Sequence, residues 1–160
     1  MRYVVDTNVP IVANGRDTNA TAECRLNSID FLENMIIKGR LILDVGGEIE
    51  QEYTRHLNMG QPGVGNRFIQ AFLTAAAKRI ERLEITKEKD GSYRDFPSVG
   101  SLKKFDLSDR KFAALSIVSG APVANAVDSD WLEHRQALED SGVKIHFVCG
   151  ADKGRWFART

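Results

Sequence analysis

The 160-residue chain carries 22 basic and 22 acidic side chains, so its formal net charge at pH 7 is zero. Bulk positive charge is therefore excluded as the means of holding a polyanion, and any nucleic-acid contact must rest on local patches. The length suits one domain with a sizeable core, no run approaches the roughly 20 apolar residues that span a bilayer, and no signal-peptide pattern opens the chain. The expectation is a soluble, cytoplasmic protein. Cys24 and Cys149 are the only cysteines and stand in no metal-ligand spacing. A reduced, buried pair is expected, with neither a disulfide framework nor a zinc site.

Residues 3–8 read Y-V-V-D-T-N. The apolar, β-branched start marks a short strand covered on both faces. It ends in Asp6, and Asn8 can cap a helix that begins at Val9 and tolerates Pro10 in its first turn. Asp6 then stands at the carboxyl end of a strand, the edge where open α/β sheets place their ligands, although an Asx turn would use the same residue.

Residues 21–38 have helical spacing and are closed by Gly39. Residues 41–43 form a second buried strand ending in Asp44. A second long helix covers residues 47–57, with Ile49, Tyr53 and Leu57 on its apolar stripe. The Gly- and Pro-rich residues 58–66 form a loop. Residues 68–78 are helical, and residues 83–85 suit a short third strand.

Residues 87–104 are polar and contain Gly91, Pro97 and Gly100, which predicts a mobile surface loop. A helix beginning at Asp106 or Ser108 runs to Gly120, and residues 122–127 form a fourth strand. Residues 131–140 are helical, and residues 143–148 form a fifth strand. The division is a single domain over residues 1–150 and a basic tail over residues 151–160. Strands alternating with helices predict an α/β fold, a three-layer α/β/α sandwich around a central parallel sheet of five strands.

The acids fall in a pattern. Asp6 follows the first strand and Asp128 the fourth, so both lie on one edge of a parallel sheet. Asp109 opens a helix in F-D-L-S-D-R-K-F-A-A, and Glu48 and Glu52 lie one turn apart on the second long helix. Clustered carboxylates repel one another unless a cation is present. Mg²⁺ and Mn²⁺ take such oxygen ligands and support attack of water on phosphodiesters. Capping offers competing uses: Asp106 with Asp109 resembles a capping box, and Asp130 with Glu133 another. If Asp130 caps, Asp128 is left free for a metal. Glu50 and Glu52 border the apolar stripe on opposite sides, so periodicity does not choose between them.

With these residues in place, the chain resembles the PIN-domain family of metal-dependent nucleases, over residue 2 to about residue 148. The resemblance is carried by Asp6 with Asn8 after the first strand and by Glu52 in I-E-Q-E-Y. It continues with Asp109 before Ala113 and Ala114, and ends with Asp128 and Asp130 in A-V-D-S-D-W. The Ser or Thr usual before the last acid pair is replaced by Ala126.

The resemblance implies a PIN-like sandwich in which Asp6, Asp109 and Asp128 hold Mg²⁺ or Mn²⁺. Glu52 and Asp130 would complete the site or orient water, with Asn8 and Glu48 in support. It also implies single-stranded RNA as substrate and a possible homodimer. Arg110 and Lys111 are the first candidates to offset carboxylate repulsion of the strand, with Lys103, Lys104, Lys153, Arg155 and Arg159 beyond them. Trp156 would stack a base or, more simply, pack the tail onto the body. The alternative is a catalytically silent PIN-like module that binds nucleic acid or protein. A small-molecule phosphohydrolase has less support, because Asn8 stands where its second acid would fall.

Two features point elsewhere only superficially. G-Q-P-G-V-G-N-R at residues 60–67 imitates a phosphate loop but lacks its Lys and Ser/Thr and follows a helix. His56, His134 and His146 are scattered among different elements.

Overall fold

The strand nearest the amino terminus, β1 (Arg2–Val5), lies in the middle of the sheet. Val4 and Val5 have no exposed surface, as expected for a strand covered on both faces. In this computed structural model, residues 1–17, 19–57, 60 and 62–158 are described. The other strands are β2 (Arg40–Asp44), β3 (Ile80–Leu83), β4 (Val123–Asn125) and β5 (Ile145–Phe147). Their order is β3-β2-β1-β4-β5 and every pairing is parallel.

The helices are α1 (Asn8–Ala13), α2 (Ala22–Lys38), α3 (Glu48–His56), α4 (Val64–Leu73), α5 (Arg110–Ser119), α6 (Ser129–Glu133) and α7 (Arg135–Asp140). Right-handed crossovers put α1 to α4 on one face and α5 to α7 on the other. Packing among α1, α2 and α4, and of α5 across β1 to β4, agrees with that assignment. The arrangement is an α/β fold with a five-stranded parallel sheet between helices. The strand order reverses between β1 and β4, so the crevice beyond their carboxyl ends is the topological switch point.

Several local expectations need correction. Thr7, not Asn8, occupies the N-cap position of α1, and it makes no capping bond there. The expected helix over residues 131–140 is two short helices separated at His134. The third strand lies earlier than expected, at Ile80–Leu83, because Leu41–Asp44 pair with those residues.

Residues 87–104 pack closely: Tyr93, Phe96 and Leu102 are buried with the adjoining Phe105, and Phe96 stacks on Phe105. Polar composition concealed these anchors. Cys24 and Cys149 are joined in a buried disulfide rather than reduced. A separation of 125 residues carries no information on spatial proximity, so their pairing is set by the fold alone.

The phosphate-loop imitation has a tertiary role. Asn14 Oδ1 accepts from the backbone N–H groups of Gly65 and Asn66, which caps α4 from α1. A Cβ at residue 65 would lie 2.2 Å from the Pro10 carbonyl oxygen, so glycine permits that approach. Beyond β5 the tail packs on the body. Trp156 is fully buried, its indole N–H donates to the Gly150 carbonyl, and Thr21 N–H donates to the Trp156 carbonyl. Arg159 lies outside the described residues.

Candidate metal centre

Asp6 leaves β1 with its backbone N–H bonded to Ala124 of β4 at 3.0 Å. Its buried carboxylate accepts from the Asn8 backbone N–H at 3.2 Å and from the Trp131 indole at 2.7 Å. Asn8 also fixes the other side of the crevice. Its side-chain oxygen accepts from the backbone N–H groups of Ala126 and Val127, and its amide donates to Asn125 Oδ1. Asn125, wholly buried, accepts from Asp128 N–H and donates to the Asp128 carbonyl. The loop that carries Asp128 is thus held against β1 by two asparagines.

Carboxylate oxygens of Asp6, Asp109 and Asp128 all lie within 4.8 Å of one another. Asp109 arrives from a 3₁₀ turn, Leu107–Asp109, which is capped by the Asp106 side chain. Asp128 rather than Asp130 caps α6, accepting from Asp130 N–H at 3.0 Å, so the capping role expected of Asp130 falls to Asp128. Asp128 nevertheless keeps an oxygen in the cluster, because a capping carboxylate has lone pairs to spare.

Electrostatics distinguish the acids. Burial pushes Asp6 up to about 7, assisted by the charge of Asp128 and opposed by the bonds from Trp131 and Asn8. Burial likewise raises Asp109 to about 10, reinforced by Asp6 and by a hydrogen bond with Asp128. The unmetallated cluster therefore retains protons at neutral pH, as expected for like charges in a desolvated space. Oxygens on opposite sides of a Mg²⁺ stand about 4.2 Å apart, twice its usual bond length. The three carboxylates thus fit one hard divalent cation in donor type and, with small side-chain adjustments, in spacing.

The remaining expected residues sit around this centre without all entering it. Asp130 belongs to a neighbouring acidic group with Asp106 and Asp109, and burial, then the charge of Asp128, raises its pKa. Glu52 is buried beside the cluster, close enough to influence Asp6 electrostatically, whereas Glu50 pairs with Arg82. Glu52 is itself engaged: Thr7 Oγ1 donates to it, and Lys111 Nζ lies 2.7 Å from it. Glu48 accepts from the Tyr93 hydroxyl and pairs with Lys87 at 3.4 Å.

The two basic residues expected to face nucleic acid have internal partners. Lys111 is the buried counter-ion of Glu52 and donates to the Ser108 carbonyl. Arg110 donates to the carbonyl oxygens of Leu102, Lys103 and Phe105 and lies 4.6 Å from the Phe96 ring centroid. It fastens residues 102–105 to α5. Arg155 pairs with Glu23, and buried Trp156 has no free face for a base. His134 contacts the Asp130 carbonyl, and His146 packs against Tyr3 and Phe31.

Sequence reasoning missed Trp131, Asn125 and Thr7 as parts of the centre. Asn125 carried a signal, as a polar residue inside the apolar strand sequence P-V-A-N-A-V. Thr7 and Trp131 carried none, since each interacts with a residue at least 45 positions away.

No family model, curated protein or solved structure matches the chain. Among the described residues no helix is long and apolar enough to cross a membrane.

Proposed function

We propose that the protein is a PIN-like, Mg²⁺- or Mn²⁺-dependent nuclease that hydrolyses phosphodiester bonds in single-stranded RNA. The observation that carries this reading is the approach of Asp6, Asp109 and Asp128 within 4.8 Å at the switch point of the sheet. Asp6, Asp109 and Asp128 would hold the ion, which supplies charge neutralisation at the phosphodiester and activation of water. Trp131 and the Asn8 backbone orient the Asp6 carboxylate, while Asn125 fixes the loop beneath Asp128. Glu52, paired with Lys111, is a positioning residue at the rim. An unpaired strand bends its backbone into such a crevice more readily than a duplex does. The test is cleavage of single-stranded RNA with Mn²⁺ present. Asp6→Asn should abolish it, and activity surviving in both Asp6→Asn and Asp128→Asn proteins would contradict the reading.

One observation favours a second reading, a silent PIN-like binding module. The acid on α3 is neutralised by Lys111 instead of standing open to the centre. Mn²⁺ binding without turnover on any single-stranded RNA would favour that alternative.

A further inference from the structure

A cavity of about 280 Å³ opens between α3, residues 87–93 and the turn that precedes α5. Its lining includes Arg55, Lys87 and Lys111 together with Glu48 and Ser108. The turn that carries Asp109 into the carboxylate cluster also supplies Leu107 and Ser108 to the cavity, and Lys111 of the lining is bonded to Glu52. We infer that this cavity is a subsite for a backbone phosphodiester of the nucleic-acid strand whose neighbouring bond lies at the carboxylates. The inference rests on the nuclease reading of that centre.

The charges support an anion. Glu48 is engaged by Tyr93 and Lys87, and Glu52 by Thr7 and Lys111. Three cations against two engaged carboxylates leave one positive charge, and Arg55 is exposed with no ion-pair partner among the described residues. Its guanidinium presents the planar fork that grips phosphate oxygens in pairs. Lys111 is occupied by Glu52, the Ser108 carbonyl and the Phe112 ring, which leaves Arg55 and Lys87 as the side chains that would meet the anion.

A volume of about 280 Å³ leaves room for a backbone phosphodiester together with its flanking sugar. A strand entering an acidic crevice needs cations next to the bond being cut, and the zero net charge of the chain provides no distributed attraction.

The experiment uses Asp6→Asn protein, to prevent cleavage, with a fluorescein-labelled single-stranded oligoribonucleotide followed by anisotropy across a salt series. Adding Arg55→Gln and Lys87→Gln should weaken binding about 10-fold and reduce the steepness of the log Kd against log salt plot by about 1. Both side chains are exposed, so thermal melting should stay unchanged and exclude misfolding. Unchanged affinity and slope, or no binding by the parent, would overturn the subsite. Inorganic phosphate is the competing probe. If micromolar phosphate displaced the RNA through Arg55, the cavity would be a free-anion site and the strand assignment would fall.

Cleavage by the wild-type chain is scored separately. Normal cleavage with Arg55- and Lys87-independent binding rejects the subsite alone. Absent cleavage with Arg55- and Lys87-dependent binding rejects the nuclease reading and retains RNA-phosphate recognition.

Discussion

Trp131 donates its indole N–H to the Asp6 carboxylate at 2.7 Å, across 125 residues of sequence. The bond ties α6 to the end of β1 and sets which lone pairs of Asp6 face Asp109 and Asp128. It is buried, and it favours the charged form of a carboxyl group that burial otherwise drives toward protonation.

Trp131→Phe keeps most of the packing volume and removes this donor. Affinity for Mn²⁺ should fall by roughly 10-fold or more, as for other groups that orient metal-binding carboxylates. Metal-free stability should fall by about 1–3 kcal/mol, because a buried acceptor loses its partner. Calorimetric titration and chemical denaturation measure the two effects separately.

The pH dependence of metal-free stability has a defined sign. Asp6 rises from 3.8 to about 7 and Asp109 from 3.8 to about 10 in the folded state. Between those limits the folded protein binds more protons than the unfolded chain, so stability declines as pH rises. Melting in a chelating buffer should show the midpoint falling from pH 5 to pH 8, with Asp109→Asn flattening the trend. Saturating Mn²⁺ should restore stability at pH 8, since an ion that binds only the folded state stabilises it.

Lys111 and Glu52 form a buried pair, with 10% and 11% of their side-chain surfaces exposed. Lys111→Met leaves the Glu52 charge uncompensated and should cost about 3–5 kcal/mol. Combining it with Glu52→Gln should recover most of that loss, a non-additivity that a double-mutant cycle measures directly. If Lys111→Met were as stable as the parent, the ion pair would have no structural weight.

The disulfide joins α2 to the segment after β5 and closes 125 residues of chain. Chain-entropy reasoning assigns a loop of that length about 4–5 kcal/mol. Replacing both cysteines by alanine should therefore lower the melting midpoint by about 10 °C. Differential scanning calorimetry of the two proteins, both free of reductant, measures the difference.

The sheet was legible because β-branched and apolar runs alternate with helical periodicity and Gly stops. Asp6 and Asp128 could be assigned to one edge because both follow parallel strands. The meeting of Asp109 with them required the 3₁₀ turn before α5, which no periodic pattern announces. The pairing of Lys111 with Glu52 was not legible because a lysine near acids reads equally as a ligand-facing charge or an internal counter-ion, and burial is needed to see the second role. The anchored character of residues 87–104 was hidden for a related reason. Tyr93 and Phe96 are isolated aromatics in a polar segment, and their burial follows from distant partners.

The most direct measurement is a calorimetric titration of the wild-type protein with Mn²⁺ at pH 7, repeated in buffers of different ionisation enthalpy. Binding should be accompanied by proton release, because the ion displaces protons held by Asp6 and Asp109, and Asp109→Asn should weaken the binding and reduce that release. No binding by the wild-type chain, or identical binding and proton release in Asp109→Asn, would contradict a cation shared by Asp6, Asp109 and Asp128.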